Sequence, residues 1–222
     1  MPPSRRAAAA RRWLCLLALS LPGFAPAPAG AQALYQRFID SVTVDRSDEV
    51  AALLARGIDP NTVDSNGDPV LLIAARSGFE PTLDALLAAG AKVNARNAYG
   101  DSAIMGAAIA GHLAIVKTLF ARGAEINRAG WTPLIYAATN GHADVARYLI
   151  DVGANVNAAS PNGTTALMMA VRGGHGAVVD LLLTKGANVG HVNEAGASAL
   201  AWARRGGFEA IERALLRHGA KY

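Results

Sequence analysis

Apolar residues recur seven, four and three places before a glycine along this chain. Val50, Leu53 and Leu54 precede Gly57, and Leu83, Leu86 and Leu87 precede Gly90. Val116, Leu119 and Phe120 precede Gly123, and Val179, Leu182 and Leu183 precede Gly186. This spacing puts one buried stripe on a helix of two to three turns. The glycine then supplies the left-handed residue that ends it. A shorter, Ala-rich helix is predicted upstream of each, at Ile73-Ala74-Ala75, Ala107-Ala108 and Ala137-Ala138. Its small side chains allow two helices to pack back to back. Polar segments such as Asp64-Ser65-Asn66-Gly67 and Ser160-Pro161-Asn162-Gly163 have turn chemistry.

The unit is periodic. Gly57, Gly90, Gly123, Gly153, Gly186 and Gly219 advance by 33 residues, except for one step of 30. Gly78, Gly111, Gly141, Gly174 and Gly207 follow the same steps, as do Gly67, Gly100, Gly130, Gly163 and Gly196. Three series with one period define a repeat of turn, short helix and longer helix.

At these residues the chain resembles the ankyrin repeat family. The fullest copy is Gly130-Trp131-Thr132-Pro133-Leu134-Ile135-Tyr136-Ala137-Ala138, followed by Gly141-His142 and Gly153-Ala154-Asn155-Val156-Asn157. Further copies keep Gly90-Ala91-Lys92-Val93-Asn94, Gly123-Ala124-Glu125-Ile126-Asn127 and Gly186-Ala187-Asn188-Val189. The resemblance covers essentially all of the chain after residue 31. It implies an all-α ankyrin-repeat solenoid of stacked helix–turn–helix units. The copies depart from the family where a His usually follows Thr-Pro-Leu. Leu72, Met105, Ile135, Met168 and Ala201 stand there, so the stack is expected to rely on packing. Full repeats are expected at 63–94, 95–127, 128–157 and 158–190. A degenerate first repeat (32–62) and a truncated last one (191–222) are expected to cap the ends with charge, as a solenoid requires.

The first 31 residues have a different composition. They hold Arg5, Arg6, Arg11 and Arg12, no acidic residue, five of the ten prolines and the chain's one cysteine, Cys15. A basic start, an apolar run over Trp13–Phe24 and the small residues Ala29-Gly30-Ala31 make a secretory signal peptide. Cleavage is expected after Ala31, or alternatively after Ala33. The apolar run is about 12 residues, short of the ~20 that span a bilayer. A periplasmic, bacterial destination follows, without stable membrane insertion after cleavage. The whole chain carries a formal charge of +4, yet its acidic residues number 17 and all lie beyond residue 31. Setting aside the four leader arginines leaves 17 of the 21 basic residues, so the remainder is neutral. That removes the basis for a nucleic-acid partner, and the lack of cysteine removes a disulfide framework.

Chemistry is sparse. His112, His142 and His175 fall at one position of successive repeats, about 8–10 Å apart if neighbouring helices pack normally, too far to share a zinc ion. They read as turn residues opening the second helices; no metal or other cofactor is expected. No Ser lies in a nucleophile elbow and no glycine-rich stretch carries the Lys of a phosphate loop. The chain therefore reads as a non-catalytic module.

The resemblance implies that another protein binds the turn tips and the adjoining concave face. Tip residues include Asp64, Asn66, Asp68, Tyr99, Asp101, Trp131, Asn162, Thr164 and Glu194. First-helix ends carry Arg76, Ile109, Thr139, Asn140, Arg172 and Arg205. Tyr99 and Trp131 are the expected anchors, since exposed aromatics often dominate interfaces, whereas Tyr136 and Trp202 read as packing residues. The 30-residue repeat shortens one turn beside Trp131. A notch floored by Trp131 and flanked by Tyr99 and Asp101 is expected to receive part of the partner. The expected role is a monomeric scaffold that protects or matures an exported enzyme. Alternatives are an inhibitor or immunity-type protein that occludes a toxin or enzyme, and a histidine-based ligand or metal binder.

Overall fold

The computed structural model describes residues 29–221; of the leader expected over 1–31, residues 1–28 lie outside the described residues. The chain divides into two compact units after Arg37. Of the first, residues 29–37 are described and are helical. The account below concerns the second unit, from Phe38 onward.

Twelve helices follow one another among the described residues: α1 (Ala29–Thr43), α2 (Ser47–Ala55), α3 (Val70–Ser77), α4 (Glu80–Ala88), α5 (Ala103–Ala110), α6 (Leu113–Ala121), α7 (Pro133–Thr139), α8 (Ala143–Asp151), α9 (Ala166–Arg172), α10 (Gly176–Thr184), α11 (Ala199–Arg205) and α12 (Glu209–Arg217). The odd-numbered helices from α3 to α11 pack side by side as an inner row. The even-numbered helices from α2 to α12 form an outer row, each against its own inner partner from α3/α4 onward. This is an all-α repeat solenoid. No helix among the described residues is long and apolar enough to cross a membrane.

The stripes read from the sequence face the core. Leu83, Leu86 and Leu87 of α4, Val116 and Leu119 of α6 and Val179, Leu182 and Leu183 of α10 are buried. Ala74, Ala75, Ala107, Ala108, Ala137, Ala138 and Ala170 are fully buried along the inner row. Leu72, Met105, Ile135 and Met168, which replace the family's usual His, are also buried. Each large apolar side chain contributes about 1.5–3 kcal/mol through burial, so packing holds the repeats at that level. Ala201, the fifth in the series, is exposed on α11.

Two polar devices join neighbouring repeats. The first is an asparagine ladder. Asn61 Oδ1 accepts from Lys92 N at 2.8 Å, and Asn94 Oδ1 accepts from Glu125 N at 2.9 Å. Asn127 Oδ1 accepts from Asn155 N at 2.7 Å while its Nδ2 donates to Gly153 O at 2.8 Å. Asn157 Oδ1 accepts from Asn188 N at 2.7 Å. The second device explains the Gly-His pairs. The rings of His112, His142, His175 and Phe208 each lie over a glycine one repeat earlier: Gly78, Gly111, Gly141 and Gly174. These glycines have φ near +80°, and a Cβ on Gly141 would come within 2.6 Å of His175. His142 Nε2 and His175 Nε2 lie 3.0 Å from Ile109 O and Thr139 O, the carbonyls at the end of the preceding inner helix. The histidines thus staple repeats together in addition to opening outer helices.

Candidate partner-binding notch and groove

Between an outer helix and the next inner helix the chain makes a finger. Four fingers close on a single antiparallel pair: Val63 with Pro69, Arg96 with Ser102, Ala159 with Thr165, and Val192 with Ser198. A polar residue inside each finger fixes its shape by accepting backbone N–H groups, the usual turn role of Asx and Ser side chains. Asp64 Oδ1 accepts from Asn66 N and Asp68 N, and Asn97 Oδ1 from Tyr99 N and Asp101 N. Ser160 Oγ accepts from Thr164 N, and Asn193 Oδ1 from Ala195 N and Ala197 N. The repeat at 128–157 has no such pair among the described residues. Its turn runs from Asn127 to Gly130, three residues shorter than the others, and Gly130 turns it with φ +101°.

The shortened turn leaves a cavity of about 230 Å³ between the neighbouring fingers. Arg96, Tyr99 and Asp101 line it from one side, Arg128 and Trp131 from the short turn, and Pro161 from the finger beyond. Tyr99 is 87% exposed. Trp131 is half-buried, its ring 5.5 Å from that of Tyr136 and tilted by 31°. Tyr136 Oη donates to Asp101 Oδ1 at 2.5 Å. Burial first, then this bond and the charge of Asp101, hold the Tyr136 hydroxyl well above its ordinary value. Glu125 Oε2 anchors the basic wall, 3.3 Å from Arg96 and 3.8 Å from Arg128.

Equivalent positions on successive inner helices form two rows. One row runs Ile73, Gly106, Tyr136, Met169, Trp202; one turn later, a second runs Arg76, Ile109, Thr139, Arg172, Arg205. A cavity of about 110 Å³ opens beside Gly106, lined by Leu72, Arg76, Asp101, Met105, Ile109 and Tyr136. A larger one of about 380 Å³ lies among Arg172, Trp202, Arg205, Gly206 and Phe208.

The sequence-derived candidates fall into three groups. Tyr99, Asp101 and Trp131 come together at the notch. Arg76, Ile109, Thr139, Asn140, Arg172 and Arg205 lie along the concave row, with Asn140 Nδ2 donating to Ile109 O at 2.7 Å. The fingers hold the rest, and here the structure corrects the expectation for two. Thr164 is 3% exposed and Asp68 8% exposed. Their position in the finger folds inward toward the inner helix, so they support the tip instead of presenting it. Asp68 accepts from Asn97 Nδ2 at 2.8 Å and from Arg76 at 3.1 Å. Asp64 is half-buried and holds its own loop. Asn66, Asn162 and Glu194 are exposed. Tyr136 and Trp202, expected to be packing residues, are half-buried and line the concave cavities. Among the described residues no three His, Cys, Asp or Glu side chains group closely enough to hold a metal ion.

A model described as ankyrin repeats (3 copies) matches residues 41–129, 127–193 and 155–222. The chain belongs to the ankyrin repeat family. It is also similar to protein phosphatase 1 regulatory subunit 27 from Homo sapiens and from Mus musculus, 49% identical over 37 residues in each. That stretch is 17% of this chain and 24% of each relative, so the chain matches about a quarter of their length. Ankyrin repeats indicate a protein–protein interaction scaffold, a generally non-catalytic role.

Proposed function

We propose that the chain is an exported, non-catalytic scaffold that seats one protein partner in the notch at Trp131 and along the adjoining concave groove. The partner is an exported enzyme that the scaffold protects or matures in the periplasm of a bacterium. The carrying observation is the notch itself. It combines a nearly fully exposed tyrosine, a half-buried tryptophan and the gap beside a turn three residues shorter than the other fingers. Aromatic groups of this kind supply contact area at low entropic cost. The leader composition supports export, and the cysteine-free remainder suits an oxidising compartment. The partial likeness to a phosphatase regulatory subunit is consistent with a role exerted through another protein.

Crosslinked capture from the periplasmic fraction tests this reading. Wild type should retain one protein at near-stoichiometric yield, and Trp131→Ala and Tyr99→Ala should lose it with an unchanged helical circular dichroism spectrum. Equal capture by both variants would remove the notch from the account. Finding the protein in the cytosol with residues 1–31 intact would overturn export.

A further inference from the structure

The concave row of helix-end residues changes its electrostatic state along the solenoid. Eight residues before Arg76, Ile109, Thr139, Arg172 and Arg205, the finger of the same repeat holds Asp68, Asp101, Trp131, Thr164 and Ala197. In the first of these repeats Asp68 Oδ2 accepts from Arg76 at 3.1 Å. Asp101, whose own repeat has Ile109 in place of Arg, accepts instead from Tyr136. In the last two repeats the finger position is Thr or Ala and offers no carboxylate. Among the described residues no ion pair forms at Arg172 or Arg205, and both are exposed. Their neighbour Arg204 is matched by Glu212, with Nε and Oε1 2.7 Å apart. Two uncompensated guanidiniums therefore flank the 380 Å³ cavity, with Trp202 and Phe208 as its aromatic walls.

We infer that this end of the groove docks an acidic, extended segment of the partner protein, with two carboxylates on Arg172 and Arg205 and an apolar side chain against Trp202. The inference rests on the scaffold reading above. Guanidinium forks pair carboxylates in bidentate fashion and stack on aromatic rings. The two arginines lie on adjacent inner helices, which pack about 8–10 Å apart. A polyproline II segment rises about 3.1 Å per residue with three residues per turn. Carboxylates at i and i+3 then lie on one face at about 9 Å, matching the arginines. Arg76, already neutralised by Asp68, cannot form an equivalent site at the other end, so the groove has a direction.

The probe is a capped, fluorescein-labelled proline-rich dodecapeptide carrying Glu-Pro-Phe-Glu, with a Gln-Pro-Phe-Gln control. Fluorescence polarisation is read with the full mature chain. The Glu peptide should bind at least about tenfold tighter than the control. Raising salt should weaken it, and Arg172→Gln combined with Arg205→Gln should abolish the difference, while Arg76→Gln leaves it intact. Equal binding of both peptides, no saturation below about 1 mM, or binding indifferent to the double substitution would overturn the inference. Partner capture by the same double variant separates the two proposals. Capture that survives it but fails in Trp131→Ala sinks the acidic-segment site and leaves the scaffold standing. Capture that survives both also removes the notch as the partner's seat, and a wild type that captures no protein removes the scaffold reading.

Discussion

Tyr136 on the inner helix α7 donates its hydroxyl proton to Asp101 in the finger of the preceding repeat. This bond ties one wall of the notch to α7, and the ring of Trp131 lies 5.5 Å from that of the same tyrosine. Tyr136→Phe should cost about 1–3 kcal/mol, because it leaves a charged acceptor without its donor. Urea denaturation checks the value. A loss near zero would mean that Asp101 is satisfied by water.

The same tyrosine gives an alkaline signature. Its folded value lies above the unfolded one, near 10, because burial and Asp101 disfavour the phenolate. The stabilisation is therefore complete below about pH 10 and is lost as pH rises beyond it. The ultraviolet phenolate titration of wild type, compared with Tyr136→Phe, should show one tyrosine that ionises later than the rest. Superimposable titrations per tyrosine would contradict the assignment.

The ladder at Asn127 carries two bonds into the next repeat. Asn127→Ala should cost about 1–3 kcal/mol, and hydrogen exchange should rise on both sides of the 127–155 junction. Faster exchange at the chain ends alone would show that the ladder is dispensable there.

Gly141→Ala should destabilise more than Gly123→Ala. Both have positive φ, but a Cβ at 141 meets the His175 ring at 2.6 Å, whereas nothing lies within 4 Å at 123. The difference should be on the order of 1–3 kcal/mol, an overpacking cost. Adding His175→Ala should reduce it, since the two sites are coupled. Equal losses at the two glycines would remove the ring from the explanation.

The period, the helix stripes and the shortened turn were legible in the sequence because each leaves a repeated, local mark. Val116, Leu119 and Gly123 state one helix between them. The notch was legible as a missing three residues. Tyr136, which holds the notch residue Asp101, leaves no such mark. Its row holds Ile73, Gly106, Tyr136, Met169 and Trp202, which share no polarity, and its bond reaches back to another repeat. Asp68 and Thr164 were misplaced for a related reason: turn chemistry marks a finger but does not say which of its residues folds inward. Asn61, Asn94 and Asn127 recur every 33 residues, yet their role as a ladder depends on stacking distance, which the sequence pattern does not encode. Whether Arg172 and Arg205 are paired likewise depends on which carboxylates the fold brings to them, which the chain order does not state.

The claim that the shortened turn seats the partner is tested most directly by filling it. Inserting Asn-Ala-Tyr, the residues at 97–99 of the preceding finger, between Ala129 and Gly130 restores the full-length turn. Affinity for the captured partner is then measured by calorimetry beside wild type, with thermal unfolding as the folding control. The account predicts at least about a tenfold loss of affinity at an unchanged or higher Tm. Unchanged affinity in a folded insertion variant would contradict it.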